Sequence, residues 1–189
     1  TALAPHGLKR NTMLPVYALA EPTAGVSFSE LGPEYARVIM DRHSLQIGET
    51  FRAVDEADSD AVSFVTVGKA IRDVDIRITD DNDDELSPGH IGHIQLHGGS
   101  MTERVYADPE ATAALFTQDG WLRTGDCGVF VNDQLVITGR QKDIIIINGQ
   151  NYYPHDIEDI VARIDGLDLN KVVVAGATPK GGQTEELVA

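Results

Sequence analysis

Cysteine is almost absent: Cys127 is the single example in 189 residues. A lone thiol excludes an internal disulfide and any cysteine-rich zinc site, and it fits a reducing compartment. Basic residues are also scarce. Fifteen Lys and Arg against thirty Asp and Glu leave a formal net charge of -15, which opposes nonspecific binding to nucleic acid or anionic lipid. No apolar run reaches the roughly 18–20 residues that span a bilayer, and the N-terminus lacks the basic-then-apolar layout of a signal peptide. The expected location is the cytoplasm, with neither a nucleic-acid partner nor a membrane span. Internal repeats and low-complexity tracts are missing too. What remains is an ordinary globular composition, 42% hydrophobic and 24% charged, enough for one core and the beginning of a second. The chain begins at Thr1 without Met and stops at Ala189 inside an apolar segment, which reads as a piece cut from something longer.

Hydrophobic patterning predicts a β-rich chain. Val16 to Glu21 reads as a strand entering a loop, and Ser29 to Met40, with Ser29 as N-cap, as a short helix. Arg42 to Ser59 is polar and irregular. Strands are expected at Ala61 to Val67, Val74 to Thr79 and Ile91 to His97, antiparallel because turn residues separate them. Asp108 to Phe116 opens on Asp-Pro-Glu, a helix start. Cys127 to Val131 and Gln134 to Gly139 read as strands joined by a tight turn at Asn132-Asp133. A strand at Ile144 to Ile147, a helix at Pro154 to Ile164 and strands at Lys171 to Ala175 and Glu185 to Ala189 complete the pattern. The fold class is α/β of mixed α+β type. A β-rich domain over 1–141 is followed by an incomplete small domain over 142–189.

Five motifs carry the chemistry: Tyr17-Ala-Leu-Ala-Glu21, Gly89-His-Ile-Gly-His-Ile-Gln-Leu-His-Gly98, Gly120-Trp-Leu-Arg-Thr-Gly-Asp126, Thr138-Gly-Arg-Gln-Lys-Asp143 and Asn148-Gly-Gln-Asn-Tyr-Tyr-Pro-His-Asp-Ile-Glu158. In order and spacing this set resembles the second half of the adenylate-forming superfamily of acyl-CoA synthetases, nonribosomal adenylation domains and luciferases. Within it, the stretch from Gly139 to Glu158 looks most like the fatty acyl-AMP ligases. Combined motifs outweigh any single one.

The resemblance implies ATP-dependent activation of a fatty or other carboxylic acid as acyl-AMP. Such chemistry needs adenosine held rigidly and phosphate charge neutralised, with an in-line path for the attacking carboxylate. By resemblance, Tyr17, Ala18, Leu19 and Ala20 line the nucleotide, with Tyr17 stacked on adenine, and Glu21 reaches a phosphate-bound Mg2+. Asp126 accepts both ribose hydroxyls, as a carboxylate with two acceptor oxygens can. Ile137 packs against the nucleoside and Arg140 contacts ribose or phosphate. Lys142 marks the hinge about which a small domain rotates. The implied acceptor is the phosphopantetheine thiol of an acyl carrier protein, and the implied setting a larger multidomain synthase.

Taken singly, each residue has a plainer reading: Tyr17 a core aromatic, Glu21 and Lys142 solvated charges, Asp126 a turn cap, Arg140 half of a surface ion pair. Gly149 reads as a turn glycine, and Asp156 and Glu158 as acids satisfying a helix N-terminus. Two other functional readings stay open: an acyl-CoA synthetase or amino-acid adenylation domain, and a noncatalytic nucleotide-binding or interaction module. The family's phosphate loop lies upstream of the Tyr17 motif and its terminal lysine downstream of Ala189, so the isolated segment is expected to be inactive. His93 stands where a Glu is usual and Ala18 where a glycine is usual.

Other signals fail. Val67-Gly-Lys-Ala70 lacks the first glycine and the Ser or Thr of a phosphate loop. Asp80 to Glu85 reads as a solvated hairpin turn, because Glu85 and Ile91 break the calcium-loop pattern. Cys127, without an evident base partner, reads as a small core residue.

Overall fold

The computed structural model describes residues 4–147, 150–162, 164, 171–177, 179 and 186–188. The chain divides into two compact units, Thr1–Thr138 and Gly139–Ala189.

The first unit is built on antiparallel strands, β1 Val16–Leu19, β2 Ala24–Phe28, β3 Arg37–Asp41, β4 Ala61–Val65, β5 Lys69–Ala70, β6 Val74–Thr79, β7 Gly92–Gly98, β8 Leu122–Val131 and β9 Gln134–Arg140, the last running past the unit boundary. Three sheets result, in the orders β1-β2-β5, β3-β4 and β6-β7-β8-β9. Apolar side chains on alternate residues drive them together. Tyr17, Val26, Val74, Ile78, Ile94, Leu96, Leu122 and Leu135 form one buried cluster drawn from the three-stranded and four-stranded sheets. Gly68 shows how closely the backbones approach. Its φ is +79, and a Cβ there would sit 1.9 Å from the carbonyl oxygen of Phe28.

The expected helix over Ser29 to Met40 is replaced by bends and by strand β3. Gly32, at φ +106, precedes Pro33 and breaks any helical run there. Val38, Ile39 and Met40 instead pair with Phe64, Ser63 and Val62 of β4. The Ser29 hydroxyl caps nothing; it donates to the carbonyl of Thr66. The turn at Asn132-Asp133 is as the sequence predicts, with φ of 50 and 60, the left-handed pair of a type I′ hairpin. Helix α1, Pro109–Leu115, is capped by the Asp108 carboxylate, which accepts from the Ala111 N–H.

The second unit contains β10 Ile145–Ile147 paired with β11 Gln150–Tyr152, helix α2 Pro154–Val161, and β12 Ala175–Ala177 paired with β13 Glu186–Val188. The strand expected from Lys171 begins only at Ala175. Glu158 does not serve the N-terminus of its helix; its carboxylate accepts from the Val174 N–H at 2.9 Å. Gly149 and the side chain of Asp156 lie outside the described residues. No helix among the described residues is long and apolar enough to cross a membrane.

Candidate functional site

A break in the β7–β8 ladder places the most conspicuous acid of the molecule. His93 pairs with Cys127 and Gln95 with Arg123, so Thr124, Gly125 and Asp126 stand opposite the single residue Ile94. Gly125, at φ +74, supplies the left-handed turn that accommodates the surplus. Such a bulge frees backbone groups, and the Thr124 hydroxyl takes them up. It donates to the Ile94 carbonyl at 2.8 Å and accepts from the Asp126 N–H at 3.0 Å. The Asp126 backbone is thereby fixed from within its own strand.

Asp126 is buried, 6% exposed as a residue. The Tyr17 hydroxyl, from β1, donates to its Oδ2 at 2.5 Å, within the short range of hydrogen bonds to a charged acceptor. Tyr17 is itself 7% exposed, its ring in the core cluster. Ile137, half-buried on β9, packs against that same cluster, as does Leu19. Ala18 and Ala20 are exposed, and the β1–β2 register shifts between Tyr17 and Ala18.

Glu21 sits in the turn that follows β1. Thr23 and Ala24, at φ 66 and 115, hold that turn in a region L-residues rarely adopt. Loop 100–102 braces it: the Thr102 N–H donates to the Glu21 carbonyl at 2.7 Å, and the Thr23 hydroxyl to the Ser100 carbonyl at 3.1 Å. The half-exposed Glu21 carboxylate meets no hydrogen-bond or ion-pair partner among the described residues. No group of three acids, histidines or cysteines that could cage a metal occurs among them either. One free carboxylate suits an Mg2+ that keeps water and substrate phosphate as its other ligands. Arg140 and Lys142 belong to the second unit and are exposed, Lys142 in a single 3-10 turn over Gln141–Asp143.

The strand bearing Asp126 is braced by polar side chains that the sequence reading missed. Arg123 donates to Asp83 and to the carbonyl of Phe116. Gln95, 1% exposed, donates to Asp83 and accepts from Arg77. Arg77 pairs with Asp119 and lies 4.4 Å over the Trp121 ring. The acidic turn expected to be merely solvated is therefore partly structural, with Asp83 as its anchor. Cys127 does have a base nearby, contrary to expectation. His93 Nδ1 lies 3.9 Å from its sulfur and His93 Nε2 2.8 Å from Asp81, in the order of a nucleophilic triad. Burial nevertheless pushes the thiol up to about 12, with the charges of Asp126 and Asp81 adding to the effect. A thiol held protonated in the core is no nucleophile, so Cys127 is a core residue.

No protein-family model matches the chain. It is 33% identical over 186 residues to the nonribosomal peptide synthetase apvA of Aspergillus terreus, a match covering 98% of this chain and 18% of the relative. It is 34% identical over 188 residues to a putative acyl-CoA synthetase of Caulobacter vibrioides, covering 99% and 33%. Among solved structures, one from a study of fatty acyl-adenylate ligases of E. coli and L. pneumophila superposes with a TM-score of 0.84 at 28% identity, over 97% of this chain and 32% of that one. A multidomain structure from a keto acid-selecting synthetase module superposes at 0.82 with 34% identity, covering 98% and 16%. The chain thus spans about a third or less of each of these four proteins.

Proposed function

The chain belongs to the superfamily of adenylate-forming enzymes, and from that premise we propose that the protein activates a carboxylic acid with ATP as an acyl adenylate. The observation that carries the proposal is the buried Asp126 carboxylate, set in a bulge and held by Tyr17. A carboxylate, with two acceptor oxygens, suits a vicinal diol such as that of ribose. Glu21, on a braced turn and with no partner among the described residues, offers a carboxylate to a phosphate-bound Mg2+. Ile137 supplies apolar contact to the nucleoside, and Arg140 a guanidinium to ribose or phosphate. Lys142, in an exposed turn four residues along the chain from the end of the first unit, suits a hinge.

The acid in this reading is a fatty or related acid without an amino group, and the acceptor is the phosphopantetheine thiol of a carrier protein. Resemblance of Gly139 to Glu158 to fatty acyl-AMP ligases supports the acid. Similarity to nonribosomal peptide synthetases supports an acceptor carried on the same multidomain chain. Acid-dependent exchange of pyrophosphate into ATP by the protein at its full natural length tests the activity. Asp126→Ala is expected to lower kcat/KM for ATP by at least about tenfold. Exchange as fast as that of the unaltered protein would remove Asp126 from the site.

A further inference from the structure

The bulge that carries Asp126 interrupts the β7–β8 ladder, and a bulge that slipped by one residue would turn the acid to the other face of the sheet. We infer that Thr124 is a positioning residue for the nucleotide: its hydroxyl, by joining the Ile94 carbonyl to the Asp126 N–H, fixes where along β8 the bulge sits and so where the Asp126 carboxylate stands. The inference rests on the proposed ribose role of Asp126.

Three observations carry it. The Thr124 hydroxyl both donates and accepts within the bulge, reaching across to the Ile94 carbonyl at 2.8 Å and taking the Asp126 N–H at 3.0 Å. One oxygen thereby ties the surplus residues of β8 to the single residue they oppose. Ile94 is 1% exposed, so water is poorly placed to take over from the hydroxyl. Gly125, at the apex, has a φ of +74, yet a Cβ there would meet nothing within 4 Å. Packing does not hold the apex in place, which leaves that task to the hydrogen bonds of its neighbour. Threonine suits the task, because branching at Cβ restricts χ1 and keeps the hydroxyl in one direction. Thr124 thus acts on the site through the backbone of Asp126, whatever else the carboxylate touches.

The test uses the protein at its full natural length. Thr124→Val keeps the branched shape and removes the hydroxyl. The expected result is a rise in KM for ATP of about tenfold with kcat little changed, since a displaced ribose acceptor weakens ground and transition states alike. Preference for ATP over 2′-deoxyATP should fall in the same variant. Thr124→Ser retains the hydroxyl and should keep KM within about twofold of the unaltered protein. In an Asp126→Ala background, with kcat/KM read from the linear low-ATP region, Thr124→Val should cost nothing further. An equal cost in both backgrounds would make Thr124 merely structural and overturn the inference. So would a Thr124→Ser variant as damaged as Thr124→Val. An unchanged KM and unchanged sugar preference in Thr124→Val, beside a damaged Asp126→Ala, would also overturn it while leaving the ribose role standing. An undamaged Asp126→Ala would overturn both. Should Thr124→Val fail to fold, Thr124→Cys places a weak thiol donor and acceptor where serine has a hydroxyl. Its KM for ATP then exceeds that of Thr124→Ser and its sugar preference falls, or the inference fails.

Discussion

The guanidinium of Arg123 grips the carboxylate of Asp83 at two points, Nε to Oδ1 at 3.2 Å and Nη2 to Oδ2 at 2.5 Å. The same side chain donates through Nη1 to the Phe116 carbonyl just past α1. One residue therefore ties the β6–β7 turn, the end of a helix and the strand that leads to Asp126.

Arg123→Ala is expected to destabilise the protein by about 1–2 kcal/mol, a value reduced because both charged groups are about one third exposed. Arg123→Lys keeps the charge but loses the planar fork, so it should restore less than half of the loss. Urea unfolding midpoints at constant slope measure both. Midpoints equal to that of the unaltered protein would mean that solvent already screens the pair.

Acid should loosen the same face of the sheet. Arg77, then Thr117, hold the Asp119 carboxyl down to about 2, and Arg123 holds Asp83 below its ordinary value. The unfolded chain then binds more protons than the folded one as pH falls, so stability drops on acidification. The contribution of Asp119 is present above its ordinary value of 3.8 and is lost between there and about 2. Asp119→Asn is expected to flatten the dependence of the melting temperature on pH in that window and to leave the slope above pH 5 unchanged. A slope identical to that of the unaltered protein between pH 4 and 2 would contradict the assignment.

The Cys127 thiol should be inert in the folded state. With the group pushed up to about 12, about one thiol in ten thousand is ionised at pH 8, and the thiolate is the reactive form. Ellman's reagent should leave Cys127 unlabelled in the native protein and label it in guanidinium. Rapid native labelling would show that His93 activates the sulfur after all.

Much of the fold was legible because half-buried strands announce themselves by alternation. Val74 to Thr79 has the bounds read from sequence, and the Asn132-Asp133 hairpin follows from two residues that tolerate positive φ. The segment after Ser29 was misread because Ser followed by Glu matches a helix start locally. Gly32 and Pro33 forbid the continuation, and the partner strand β4 lies far along the chain.

At the candidate site, Asp126 stood out through its motif, whereas Thr124 and Arg123 did not. Their roles arise only when β8 pairs with β7 out of step. The strand read from Cys127 begins at Leu122 instead, and Gly125 lies inside it at the bulge. His93 likewise meets Cys127 through strand pairing, across a separation that no short-range spacing rule covers.

The mismatch opposite Ile94 also dictates where this chain can tolerate a change in length. Residues added at Asn132 or Asp133 would enlarge a loop at the surface, a small entropic matter. One residue gained or lost between Leu122 and Cys127 would rotate the acid out of reach of the phenol and scramble every pairing beyond it. Strand β8 thus works as a measured spacer, its count of residues as much a requirement as the aspartate it carries.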